Sequence, residues 1–102
     1  MAITSSLSES GDMLTISIDG RFDASALEQF RRTFESADAK NVASYEVDLA
    51  NTVHLDSSAL GMLLVLRDHA GGDKADIKIV NCSAEVKKIF TISSFEQLFT
   101  IH

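Results

Sequence analysis

The feature that most constrains this chain is a strand pattern that runs directly into an unusually apolar helix pattern. Apolar and polar residues alternate through residues 45–49, which predicts a strand with one buried face. Residues 51–52 favour a turn. Residues 59–66 then contain no charge and no proline, which predicts a helix that opens at residues 56–58 and runs to about His69.

This helix pattern is apolar nearly all round, so its hydrophobic residues cannot share one narrow stripe. They are Leu60, Met62, Leu63, Leu64, Val65 and Leu66. We expect part of this set to be buried and part to stay exposed for a partner. Gly61 lies inside the first turns, where glycine costs about 1 kcal/mol relative to alanine. It predicts close approach by another backbone or another protein.

The remaining patterns predict one domain over residues 1–102, with an α/β order of elements. Further strands are expected at residues 3–9, 13–19 and 77–80, and further helices from Asp23 or Ser25 to residues 36–37, from Ser83, and from Ser93. Ser25 and Glu28 have the spacing of a capping box. The first two strands predict a hairpin, and the later alternation predicts parallel strands with crossover helices.

Composition narrows the class of function. Nine basic and fifteen acidic residues give a net charge of -6, which argues against nucleic-acid binding and against an anionic membrane surface. No apolar segment is long enough to cross a membrane, and the single cysteine, Cys82, favours a reducing cytoplasm. His54, His69 and His102 lack the spacing of metal ligands, so we expect no metal and no cofactor.

The segment Asp56-Ser57-Ser58-Ala59-Leu60-Gly61 resembles the D-S-[ST]-[GA]-L-G signature of STAS domains, the anti-sigma factor antagonists of bacteria. Residues 20–23 are similar to the G-x-[LF]-D segment of that family, and residues 81–86 to its last loop and helix. The resemblance covers the whole chain. It implies a STAS, SpoIIAA-like fold: a small mixed sheet of four to five strands with about four helices mainly on one side.

The resemblance also implies which residues act. In the family, the serine directly after the aspartate is phosphorylated by a partner kinase, and in this chain that residue is Ser57. Ser58 is the alternative acceptor. A non-enzymatic regulatory module is therefore expected, which binds its partner when Ser57 is unphosphorylated and releases it when Ser57 is phosphorylated. The implied partner-binding residues are Asp23, Asp56, Ser57, Ser58, Ala59, Leu60, Gly61 and Met62.

The partners that the resemblance implies are an anti-sigma factor or serine protein kinase and a PP2C-type phosphatase, in some systems carried on a response regulator. The target is then an anti-sigma factor or a regulator of motility or biofilm. One alternative is an accessory subunit of a membrane transporter, including lipid-transporting ABC systems. A second is an enzyme with Ser57 as nucleophile, but Ser57 lies in no Gly-x-Ser-x-Gly elbow.

Overall fold

The computed structural model describes residues 2–36 and 42–102, in which the strands and α-helices follow one another in the order ββαββαβαβ. The strands are β1 (Ala2–Leu7), β2 (Met13–Phe22), β3 (Ser44–Asp48), β4 (Thr52–Leu55), β5 (Ile77–Val80) and β6 (Thr100–Ile101). The α-helices are α1 (Leu27–Glu35), α2 (Ser57–His69) and α3 (Ala84–Ile92). Short 3-10 helices lie at Ala24–Ala26, Gly72–Lys74 and Phe95–Gln97.

The strands form one mixed sheet in the order β1-β2-β3-β5-β6, with β4 paired to β2 outside that path. β1 and β2 form the predicted antiparallel hairpin, and β2, β3, β5 and β6 are parallel neighbours. The predicted α/β class and the mixed sheet are therefore confirmed. Parallel pairing also places the carboxyl ends of these strands at one edge of the sheet, where the helices begin.

β2 changes partner along its length, and Gly20 is the residue at which it does so. Residues 13–17 of β2 pair with β3, whereas residues 20–22 pair with β4, with a register shift between Gly20 and Arg21. Gly20 has a φ of 98°, a conformation that side-chain-bearing residues rarely adopt. The hydroxyl of the buried Thr52 donates to the backbone oxygen of Ile18 at 2.8 Å and fixes the start of β4 beside this bend.

The core lies on one face of the sheet, between the strands and all three α-helices. Strand residues of that face and the helix residues that cover them are buried together: Leu14, Ile16, Ile18, Val47, Ile79, Phe30, Phe34, Leu63, Leu66, Val86 and Phe90. The alternate positions of the same strands are half-buried or exposed. This agrees with the prediction of helices packed mainly on one side.

The described residues hold six strands and three α-helices, where the sequence predicted four to five strands and about four helices. A turn was expected at residues 51–52, where β4 begins, and a last short helix was expected from Ser93, with no strand after it. β4 does not follow the usual strand pattern, because its polar Thr52 is buried and its apolar Val53 is exposed, and β6 has only two residues. Pairing with β2 and β5 defines these two strands.

That last helix is only a 3-10 turn, Phe95–Gln97. The sequence predicted that Phe95, Leu98 and Phe99 pack inward, and Phe95 and Phe99 are buried, but Leu98 is 39% exposed.

The capping box predicted for the first helix does not form. The N-cap of α1 is Ala26, which makes no side-chain cap, while Asp23 caps the preceding 3-10 helix by accepting from the backbone N–H of Ser25. The extra turn moves the start of α1 beyond Ser25. α1 ends at Glu35. Residue 37, part of the predicted helix end, lies outside the described residues.

Candidate functional site

The start of α2 carries the candidate modification site. The carboxylate Oδ1 of Asp56 accepts from the backbone N–H of Ser58 at 3.0 Å and of Ala59 at 3.2 Å, so Asp56 is the N-cap. α2 begins at Ser57, as predicted, and its side chain is exposed. The Ser57 hydroxyl has no hydrogen-bond partner among residues 2–36 and 42–102. It is therefore accessible and has no capping role.

One face of α2 points to solvent, and Ser57 begins it. Residues three, four and seven positions later share that face by helical spacing, and they are Leu60, Gly61 and Leu64. We call these four residues the exposed face of α2. Leu64 is 41% exposed and Leu60 half-buried. A side-chain carbon added at Gly61 would meet nothing within 4 Å, so no backbone of the described chain approaches this glycine.

The opposite face of α2 belongs to the core, and one predicted partner-binding residue lies on it. Ala59 is completely buried with Leu63 and Leu66. The expectation that Ala59 is a contact residue is therefore corrected: helical spacing turns it away from Ser57. Met62 lies on a flank, half-buried, in a shallow depression of about 270 Å³ that Leu27, Glu28 and Arg31 line from α1.

Asp23 and Asp56 leave neighbouring strands at the same edge of the sheet. Phe22 at the end of β2 pairs with Leu55 at the end of β4 in parallel, and each aspartate is the next residue. Adjacent strands lie about 4.8 Å apart. The two aspartates that the resemblance assigned to the site thus follow adjacent strands at one edge of the sheet, and Asp56 directly precedes Ser57.

Asp23 is held by three donors. Its Oδ1 accepts from the hydroxyl of Ser25 at 2.6 Å and the backbone N–H of Ser25 at 3.0 Å, and its Oδ2 accepts from Nε of Arg21 at 3.3 Å. The Ser25 hydroxyl, the Ser25 N–H and the charge of Arg21 together hold the pKa of Asp23 below its usual value. Asp23 is therefore fixed as an anion beside the start of α2.

Three residues near this edge were not predicted from the sequence as site residues. Arg21 pairs with His54 across β2 and β4, and the Arg21 side chain is 62% exposed. Val53, on β4 immediately before α2, is 74% exposed. Arg21 occupies the variable position of the G-x-[LF]-D segment. Because residues two apart on a strand share a face, its spacing from Asp23 could have indicated that the two side chains lie on the same side. No signal in the sequence marked Val53, because β4 itself was not predicted.

The described residues offer little support for a metal site, a reactive cysteine or a membrane-spanning helix. Residues 2–36 and 42–102 contain no group of three His, Cys, Asp or Glu side chains that suits a metal ion. Burial raises the pKa of the Cys82 thiol, and the nearby charge of Lys87 offsets part of the rise, so the reactive thiolate is disfavoured. Within the same residues no helix has both the length and the apolar character needed to span a bilayer.

Comparison with known proteins gives concordant matches. The family model described as "Mlab, STAS domain" matches residues 5–100. A STAS-domain containing protein of Pseudomonas aeruginosa (strain UCBPP-PA14) is 57% identical over 101 residues, which are 99% of each chain.

Two solved structures share the fold at lower identity. The phosphorylated form of the Bacillus cell fate determinant SpoIIAA has a TM-score of 0.74 at 20% identity, covering 99% of this chain and 91% of that one. An anti-sigma factor antagonist from Mycobacterium paratuberculosis has a TM-score of 0.80 at 15% identity, covering 99% and 86%. The predicted SpoIIAA-like fold is confirmed.

Proposed function

Because the chain belongs to the STAS domain family, we propose that it is an anti-sigma factor antagonist: a protein-binding module switched by phosphorylation of Ser57. Unphosphorylated, it binds an anti-sigma factor or serine kinase, and phosphorylated it releases that partner. The module performs no catalysis of its own and acts in the cytoplasm. The solved proteins of the same fold support the role, since they include an anti-sigma factor antagonist and a phosphorylated SpoIIAA.

The observation that carries this proposal is the exposed hydroxyl of Ser57 at the first position of α2. Asp56 performs the capping, so phosphate on Ser57 displaces no hydrogen bond that holds the helix. A phosphate at a helix N-terminus also meets free N–H groups and the positive end of the helix dipole. The modified and unmodified chains therefore share one fold, which is what a reversible surface switch requires.

The energetic difference between the two states lies in desolvation. The exposed face of α2 offers Leu60 and Leu64 to a partner next to the hydroxyl of Ser57. A partner that covers these side chains also removes water from position 57. A hydroxyl tolerates this if it finds a hydrogen bond, whereas phosphate adds a charge of about -1.5 to -2, which is costly to bury unpaired.

The proposal includes two further partners. A serine kinase, itself the anti-sigma factor in one arrangement, transfers phosphate to Ser57, with Asp56 and Asp23 beside the accepting hydroxyl. A PP2C-type phosphatase, in some arrangements on a response regulator, removes it. What supports a partner that acts on the start of α2 is the accessibility of Ser57 in contrast to the half-buried Ser58.

The test is a calorimetric titration of the anti-sigma factor or kinase from the same cell with four forms of the protein: wild type, Ser57→Ala, Ser57→Asp and protein carrying phosphoserine at position 57. We expect wild type and Ser57→Ala to bind alike, phosphoserine to abolish binding, and aspartate to weaken it. Ser6→Asp is the matched control, because the Ser6 side chain on β1 is exposed and makes no hydrogen bond among the described residues. Ser6 lies opposite Thr15, and the stretch of β2 from Thr15 to Phe22 separates it from the site by about 23 Å.

Two results would contradict the proposal. Undiminished binding of the phosphoserine form would show that phosphate is not the switch. Weakening by Ser6→Asp equal to that by Ser57→Asp would show that any added negative charge suffices. Stable association with a membrane permease instead of an anti-sigma factor would favour the transporter alternative.

A further inference from the structure

The pairing of β2 with β4 assembles a small charged cluster beside Ser57. Arg21 lies opposite His54 and Phe22 opposite Leu55, and Asp23 and Asp56 are the residues that directly follow this last pair. Ser57 follows Asp56 directly. The Arg21–His54 pair and the two aspartates thus lie in alternate rows, separated by Phe22 and Leu55, at the sheet edge from which α2 starts.

Within this cluster Arg21 has one weak attachment. Its Nε lies 3.3 Å from Oδ2 of Asp23, and its guanidinium makes no other hydrogen bond among the described residues. The Arg21 side chain is 62% exposed, and that of Asp23 is 23% exposed. An ion pair this exposed contributes little to stability, and a guanidinium with five N–H donors keeps most of them available.

The carboxylates of the cluster are already engaged by local donors. Oδ1 of Asp23 accepts from Ser25, and Oδ1 of Asp56 accepts from Ser58 and Ala59. Phosphate on Ser57 would place a dianion next to these two groups. The phosphate and the two carboxylates would all be negative and would repel one another, and a nearby cation reduces that repulsion.

Arg21 is the arginine that the strand pairing brings to this edge. Arg32 and Arg31 lie on α1, where they pair with Glu28 and Glu35 one helical turn away. Arg21 instead extends along β2 towards Asp23, that is, towards the edge at which Ser57 stands. Arginine also matches phosphate with two parallel hydrogen bonds, which a lysine cannot reproduce.

We infer that Arg21 is the counter-cation of the phosphorylated state: its guanidinium transfers from Asp23 to the phosphate on Ser57. This rests on the proposed phosphorylation of Ser57. Phosphorylation then changes the surface twice, because it adds a dianion and withdraws the exposed cation that an unphosphorylated chain presents to its partner. Arg21 acts on the phosphate directly, through its charge and its N–H donors, and the fold does not depend on it.

The test measures the pKa of the phosphate itself by phosphorus NMR, in protein with phosphoserine installed at position 57 during synthesis. Imidazoles in general change charge between pH 5 and 8, so all forms carry His54→Gln. Asp23 and Asp56 are left in place in every form. Arg21→Gln is compared with Arg32→Gln, which removes the same charge from an exposed i,i+4 ion pair on α1, and with Arg21→Lys.

We expect Arg21→Gln to raise the pKa of the phosphate by about 1 unit, the lower end of the range for a close opposite charge. Arg32→Gln leaves it unchanged, Arg21→Lys retains part of the lowering, and added salt shrinks the difference. Equal titration of the Arg21→Gln and Arg32→Gln forms would overturn the inference. Because phosphoserine is installed directly, this outcome is independent of whether a cellular kinase modifies Ser57.

Discussion

Oδ1 of Asp56 lies 3.0 Å from the backbone nitrogen of Ser58. This hydrogen bond distinguishes the residue that caps α2 from the residue proposed for modification, which the sequence alone does not. Aspartate and serine are both good N-caps, and three such residues stand together at positions 56–58. The structure assigns the cap to Asp56 and leaves the Ser57 hydroxyl in solvent. Capping and modification therefore act on neighbouring residues without competing for one side chain.

Because Asp56 caps the helix and Ser57 does not, alanine substitutions at these two positions should differ in their effect on stability. Ser57→Ala should change the free energy of unfolding by less than about 0.5 kcal/mol, as an exposed substitution without contacts does. Asp56→Ala should lower it by about 1 kcal/mol, because two N–H groups of the first turn lose their acceptor. Urea unfolding of both variants checks this, and a larger loss for Ser57→Ala would show that its hydroxyl does hold the helix.

The two leucines in the middle of α2 provide a matched pair. Leu63 is completely buried and Leu64 is 41% exposed, so the same truncation acts in two environments. Leu63→Ala should cost about 2–5 kcal/mol of stability, because it opens a cavity in the core. Leu64→Ala should cost under about 1 kcal/mol and should instead weaken partner binding. Thermal melts with equal losses for both variants would contradict an α2 that turns Leu63 inward and Leu64 outward.

Thr52 is the buried polar residue at the point where β4 joins β2. Thr52→Val keeps the shape of the side chain and removes the hydroxyl that donates to the oxygen of Ile18 at 2.8 Å. A lost buried hydrogen bond should cost about 1–3 kcal/mol in unfolding free energy. Thr91→Val is the control, since that hydroxyl is exposed and bonds only within α3. Similar, small losses for both would show that the Thr52 bond is not important to the junction.

The carboxyl of Asp23 offers a pH-dependent test of the site's geometry. The Ser25 hydroxyl is the largest cause of its lowered pKa, so Ser25→Ala should raise that pKa towards the ordinary value. A group with a lowered folded-state pKa stabilises the fold above its unfolded pKa, and the contribution is lost as pH falls through the lowered value, below about 4. A carbon NMR titration of Asp23 checks the shift, and an unchanged pKa in Ser25→Ala would contradict the assigned hydrogen bond.

The sequence predicted best where a pattern was long and local. α2 has thirteen residues and contains a run without charge or proline, and its predicted start and end agree with the structure. Alternation likewise identified β2 and β3, and Ser83 was correctly expected to cap the third helix. Each of these features depends on residues close together in the chain.

What the sequence did not predict depends on long-range pairing. β4 and β6 are defined by neighbours that lie more than twenty residues away. Without β4, no pattern could show that Arg21 stands opposite His54 or that Asp23 stands beside Asp56. The burial of Ala59 was missed for a different reason: an all-round apolar helix does not reveal which side faces the core until its neighbours are known.

The measurement that tests the central claim most directly is the intact mass of the protein purified, with phosphatase inhibited, from the cells that produce it. Fragmentation then locates any added phosphate. The account predicts a population heavier by one phosphate, with the group on Ser57, and its disappearance in the Ser57→Ala strain. Phosphate on Ser58 instead, or a protein that stays unmodified when the cognate kinase is present and active, would contradict a phosphorylation switch at Ser57.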